Sequence, residues 1–199
     1  MKITFSPSVL IMLCIYFVSG NANRIIMPLS AALIHELGHI VFAIIFSIKI
    51  ERIELNLFGA LIKLPPLACS YKKEAWLAAA GPLSNILFAA ISCTFIDRFP
   101  NGKRENLIFF AVSSLLFAFI NLLPAENFDG GRILSCCLMS KLSPDSVIKT
   151  IEFSSVFCIF FLWSISVYFI LKTGSYLSLF VFSGALFSRI FLSSDRTSG

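Results

Sequence analysis

Charge is what this chain has least of: Asp, Glu, Lys and Arg make up 14% of its 199 residues, where an ordinary soluble domain carries about 25%. With 57% apolar residues and 22 Phe, that shortage excludes a water-soluble globular domain and leaves the bilayer as the solvent. The 16 basic and 11 acidic residues are scattered between apolar runs, so the net charge of +5 forms no continuous basic face. No nucleic-acid partner is expected. The six Cys include no CxxC pair, which excludes a disulfide framework and a thiolate metal site; they read as small apolar fillers. Histidine is scarcer still, with two in the whole chain.

What is present is a series of apolar runs long enough to cross about 30 Å of hydrocarbon. They fall at 3–20, 25–48, 75–96, 106–124, 152–171 and 175–191. The expectation is an all-α polytopic membrane protein of about six transmembrane helices, a single domain over 1–199. The first run has a second reading as a signal peptide, with Lys2 as its basic region and Gly20-Asn21-Ala22 as a cleavage site. A polar loop is expected at 97–105, and 172–174 closes a turn between the last two runs.

Orientation follows from the basic residues. With the N-terminus in the cytoplasm, five of the 16 fall outside, namely Arg24, Arg98, Lys103, Arg104 and Lys172, and the other eleven fall inside. Both termini are therefore expected in the cytoplasm, in what reads as a bacterial cell membrane.

Between the second and third runs the period changes. Ile53, Leu55 and Leu57 alternate with Glu54 and Asn56, Gly59 interrupts, and Leu61 resumes before Pro65-Pro66. This is the pattern of two short strands around a turn, and a small β-hairpin over 50–64 at the cytoplasmic membrane face is expected. Its edge, at Leu55 or Leu57, offers a place for an unwound substrate to add as a strand; a hairpin that only caps the membrane face is the other reading.

Away from the span ends, the ionisable side chains inside the runs are His35, Glu36 and His39, adjacent as His-Glu-Leu-Gly-His. Such groups cost roughly 2.5–3.5 kcal/mol each at the bilayer centre, so they mark function. On a helix, His35 and His39 stand one turn apart on one face, where a single tetrahedral metal ion can take both imidazoles. Glu36 projects beside them. The pattern is the zinc-hydrolase motif HExxH, in which the metal polarises a carbonyl and Glu is the general base for water. One Zn2+ per chain is the implied cofactor.

A catalytic zinc takes three protein ligands and keeps one open position. Asp129 is the candidate third ligand, in the stretch 121–132 where Pro124 stops a helix and Gly130-Gly131 free the backbone. It is expected on an unwound segment, tolerated at membrane depth where it lines a wet cavity. Glu126 is the competing ligand.

With these residues in view, the chain resembles the site-2 protease family of intramembrane zinc metalloproteases. That family pairs HExxH with an N-x-x-P…DG segment, matched here by Asn121, Pro124, Asp129 and Gly130, and with GPxxN, matched by Gly81-Pro82-Leu83-Ser84-Asn85. The resemblance implies His35, His39 and Asp129 as zinc ligands, Glu36 as base, and Asn85 positioning substrate or oxyanion. Close helix packing at Gly81-Pro82, with Asn85 as interhelical glue, is the alternative. The chain departs from the family in having Ala125-Glu126-Asn127-Phe128 where prolines are common. It is most similar to the small sporulation-type branch, without that branch's C-terminal regulatory domain, whose members process a membrane-associated sigma-factor precursor.

The expected function is regulated intramembrane proteolysis of a membrane-embedded or membrane-associated protein, with a regulatory partner not identified by sequence. The rival is a membrane metal-ion transporter with the His/Asp cluster as transit site; a catalytically dead relative is a third reading.

Overall fold

The computed structural model describes residues 2–5, 22–48, 52–56, 59–63, 70–126 and 128–173. They divide into two compact units, Met1–Leu122 and Leu123–Gly199. In chain order the elements are β1 (Lys2–Phe5), α1 (Ala22–Ile45), β2 (Arg52–Asn56), β3 (Gly59–Lys63), α2 (Tyr71–Phe95), α3 (Asn101–Asn121), α4 (Asp129–Met139) and α5 (Pro144–Thr173).

Four helical stretches among the described residues are long and apolar enough to cross a membrane: Ile26–Ile45, Tyr71–Arg98, Asn101–Asn121 and Pro144–Tyr168. They match the expected second to fifth runs, but most extend beyond them, because a helix continues through polar first turns where hydropathy already falls. Ser70 caps α2, accepting the Lys73 N–H at 3.4 Å, with Glu74 in the first turn where the helix dipole favours an acid. The loop expected at 97–105 is shorter than that: Pro100 opens α3 and Lys103 to Glu105 already lie in it. The expected sixth run, 175–191, and most of the first lie outside the described residues.

The start of the first run is corrected. Lys2–Phe5 is a strand, not the opening of a span, pairing parallel with β2 from Lys2↔Arg52 to Phe5↔Leu55. A β-branched and aromatic tetrapeptide beside a ready-made ladder takes the extended form. On its other side β2 pairs antiparallel with β3, from Arg52↔Lys63 to Asn56↔Gly59. In the order β1-β2-β3 the middle strand is engaged on both edges, so Leu55 does not lie on a free edge; Leu57 lies outside the described residues.

In the first unit, α1, α2 and α3 pack with small and polar residues inward. Ala31, His35, His39 and Ala43 form the buried stripe of α1, while Leu33, Leu37, Val41 and Ile44 face outward. On α2 the buried residues are Leu77, Ala78, Gly81, Pro82, Asn85 and Ala89; on α3 they are Ala111, Ser113, Ser114 and Ala118. Small residues let helices approach closely where lipid gives no hydrophobic drive for association, and large apolar side chains go to the lipid. The α1 C-terminus closes in a Schellman arrangement, Ile48 N–H to Ala43 carbonyl at 2.8 Å and Ser47 N–H to Ile44 carbonyl at 3.1 Å. Ser47 takes the left-handed position at φ 52°, and Ile48 folds back to pack with Ala43 and Leu77.

In the second unit the described residues before α4, 123–126 and 128, are not helical, and α4 packs on α5. The expectation that Asp129 sits on unwound backbone is corrected: Asp129 is the first residue of α4, with Phe128 as its extended N-cap. An acid in a helix's first turn is favoured by the dipole, and Gly130-Gly131 form part of that turn rather than a free hinge.

Candidate metal centre

The centre of the first unit is the imidazole pair. His35 and His39 are 4% and 3% exposed, with rings at 86° and centroids 4.9 Å apart. Their Nε2 atoms face each other at 3.3 Å. A zinc ion bonded to two imidazoles at about 2.0–2.1 Å in tetrahedral geometry needs the two nitrogens roughly 3.3–3.4 Å apart, so the pair fits that ion.

Each ring is also held on its far side. The His39 Nδ1–H donates to the Leu77 carbonyl at 2.8 Å; a carbonyl can only accept, so Nδ1 carries a proton, and in the neutral ring Nε2 is left with a lone pair. His35 Nδ1 lies 3.4 Å from Asn85 Nδ2, and Phe117 of α3 lies against the His35 ring, with centroids 6.2 Å apart. Asn85 is fully buried, and its Oδ1 has no hydrogen-bond partner among the described residues, which ordinarily costs about 1–3 kcal/mol.

The helices meet through two glycines. A Cβ on Gly81 would run into His39 Nε2 and lie 2.6 Å from its Cε1 and 2.9 Å from His35 Cε1. A Cβ on Gly38, inside the HExxH segment, would lie 2.6 Å from the Ala80 carbonyl and 2.9 Å from Ser84 Cβ. Ser84 in turn donates to the Ile34 carbonyl at 2.9 Å, so each helix carries a glycine opposite a polar group of the other. Gly81-Pro82 is therefore a place of close packing, and Asn85 joins two helices through an imidazole. Glu36, next along α1, is half-buried.

In the second unit Asp129 is 8% exposed, with Arg132 one turn on at 3.9 Å. Glu126, its competitor in the sequence, is exposed. The segment before α4 is held by side chains of α5: Ser154 donates to the Pro124 carbonyl at 2.6 Å, and Ser155 accepts the Glu126 N–H at 2.8 Å. These bonds satisfy non-helical backbone that lipid cannot. Gly131 completes the fold-back, since a Cβ there would strike the Ala125 carbonyl.

Sequence reasoning singled out His35, Glu36, His39, Gly81, Asn85 and Asp129. It missed Gly38, Ser84, Ser154 and Ser155, although adjacent serines in a phenylalanine-rich span are a readable sign of polar contacts between helices. Nothing in the sequence signals the Leu77 carbonyl or Phe117.

Comparison with known proteins adds a lineage to this geometry. The model of peptidase family M50 matches residues 24–104. Stage IV sporulation protein FB of Bacillus subtilis is 33% identical over 151 residues, covering 72% of this chain and 50% of that protein. A zinc metalloprotease of Methanocaldococcus jannaschii is 30% identical over 163 residues, 78% of this chain and 46% of the relative. The chain thus spans about half the length of these curated relatives. Among solved structures, the site-2 protease from Methanocaldococcus jannaschii superposes with a TM-score of 0.67 at 22% identity, over 96% of this chain and 89% of that one, which is a likeness of fold.

Proposed function

We propose that the chain is a member of peptidase family M50, the site-2 proteases, on the strength of the family model and the relatives it matches, and that it is an intramembrane zinc metalloprotease. Its substrate is a membrane-embedded or membrane-associated protein, cut in the course of regulated intramembrane proteolysis. The observation that carries this reading is the buried pair of Nε2 atoms at 3.3 Å on a helix long enough to span the bilayer. Two imidazoles and a carboxylate are a donor set suited to catalytic zinc. We assign His35, His39 and Asp129 to hold it, all three being buried while Glu126 is exposed. Bound there, zinc supplies Lewis acidity toward water and the scissile carbonyl.

Glu36 takes the proton of the attacking water and returns it to the leaving amine. Its place immediately after His35 on α1 brings a half-buried carboxylate beside the imidazole face. Leu77 and Ser84 hold α2 against that face, and the large apolar side chains outside keep bulk water away. The chain reads as a single domain of about six spans in a bacterial cell membrane, with both termini cytoplasmic and the strands at the cytoplasmic face.

Metal transport is the weaker reading, since a transit site has no need of Glu36 beside His35 and the Methanocaldococcus jannaschii relative is named a zinc metalloprotease. Purified protein is to be assayed for bound zinc and for cleavage of a membrane peptide alongside Glu36→Gln. The expected result is folded, zinc-loaded variant protein with cleavage reduced at least 10²–10⁴-fold, roughly the share of general-base catalysis. Near-wild-type cleavage by Glu36→Gln excludes the mechanism.

A further inference from the structure

We propose that Asn85 is the orienting partner of His35: its amide oxygen accepts the Nδ1–H of that ring and so holds His35 in the tautomer whose Nε2 lone pair can bond a metal ion. The inference rests on reading His35 and His39 as zinc ligands.

Both rings present Nε2 to the same point, 3.3 Å apart, so both need a lone pair there. A neutral imidazole with a lone pair on Nε2 carries its proton on Nδ1, and that proton needs an acceptor. For His39 the Leu77 carbonyl is that acceptor. For His35 the group at Nδ1 is the Asn85 amide, at 3.4 Å.

As the atoms stand, the amide nitrogen faces Nδ1, and one consistent donor order runs Asn85 Nδ2–H to His35 Nδ1, His35 Nε2–H to His39 Nε2, and His39 Nδ1–H to Leu77 O. That order places a proton between the two imidazoles. It also leaves the wholly buried Asn85 Oδ1 without a partner among the described residues. A half-turn of the amide exchanges two ends of nearly equal size. The oxygen then meets Nδ1–H, and the His35 Nε2 becomes a lone pair. The unpartnered oxygen and the needed acceptor are thus the same atom, on the same α2 face as Gly81 one turn earlier.

Asn85 is therefore a positioning residue, acting through His35. Partners of this kind typically change metal affinity 10–100-fold. The test measures Zn2+ affinity of the full chain in detergent by competition with a chromogenic chelator, for wild type, Asn85→Leu, Asn85→Asp and His35→Ala. The Leu variant is expected to bind Zn2+ 10–100-fold more weakly, and the Asp variant, which keeps an acceptor oxygen and loses the amide donor, to bind nearly as wild type. If Asn85→Leu does not fold, Asn85→Ala takes its place in the comparison. Unchanged affinity in the Leu or Ala variant, while His35→Ala loses the metal, overturns the inference and returns the amide to an oxyanion or substrate role. Equal weakening in the Leu and Asp variants overturns it too, because an acceptor oxygen then makes no difference. Wild-type binding by His35→Ala overturns instead the ligand reading beneath it.

Discussion

Gly81 lies against His39 so closely that a methyl group on its α-carbon would occupy the space of the imidazole Nε2. Elsewhere in a helix, Gly→Ala stabilises by roughly 0.5–1 kcal/mol. At Gly81 the sign should reverse, because the side chains displaced are the two rings that share a metal. Gly81→Ala is expected to lower zinc stoichiometry and cleavage together, measured by metal analysis of the purified variant. Full zinc occupancy in this variant contradicts the packing argument.

Gly38→Ala separates packing from ligation, since its added Cβ would press on Ala80 and Ser84 rather than on an imidazole. Overpacking of this kind costs about 1–3 kcal/mol. The expected outcome is a lower thermal midpoint in detergent, with the bond from Ser84 to the Ile34 carbonyl disturbed. A midpoint equal to wild type shows that the helices can move apart freely there.

The carboxylate assignment turns on burial. Asp129 is 8% exposed, whereas Glu126 is exposed. Asp129→Ala should lose zinc, two imidazoles being an incomplete site, and Glu126→Ala should keep it. Metal stoichiometry in both variants decides, and the reverse pattern assigns Glu126.

Ser155 accepts the Glu126 N–H within the segment before α4 and donates to the Ile151 carbonyl at 2.7 Å. Ser155→Ala leaves that N–H without its acceptor, at a cost of about 1–3 kcal/mol. Faster proteolytic nicking near 123–126 is the expected readout. Nicking at the wild-type rate means the segment does not depend on α5.

Because β2 is paired on both sides, a substrate strand has to use an outer edge of the sheet, such as that of β3. Alternate N–H groups of a strand point outward, so of Leu61→Pro and Ile62→Pro one removes an outward donor. That variant is expected to cut membrane substrate poorly while keeping zinc. Unimpaired cleavage by both, with the fold intact, rules out strand addition at this edge.

How much of this was legible in the sequence differs residue by residue. His35 and His39 were readable because a helix's own period puts them on one face. The long helices were readable because apolar length is a local property. Lys2–Phe5 was not, since its partner strand lies fifty residues away and its residues suit an apolar run equally well. The helix that begins at Asp129 was hidden by its glycines, which read as a hinge until the fold-back against Ala125 is seen. Leu77 contributes a backbone carbonyl, an atom every residue has, and only packing selects which one is used.

The paired glycine contacts also bear on the order in which the protein is made ready. Gly38 against Ser84 and Gly81 against the imidazoles are seated by protein atoms alone, and the His39 ring is already anchored on Leu77. In small zinc domains, metal uptake and folding are one event. Here the contacts that seat the helices involve groups other than the metal-binding nitrogens as well, Gly38 on Ser84 and His39 Nδ1 on Leu77, so treatment with a chelator is expected to remove zinc without unfolding the chain.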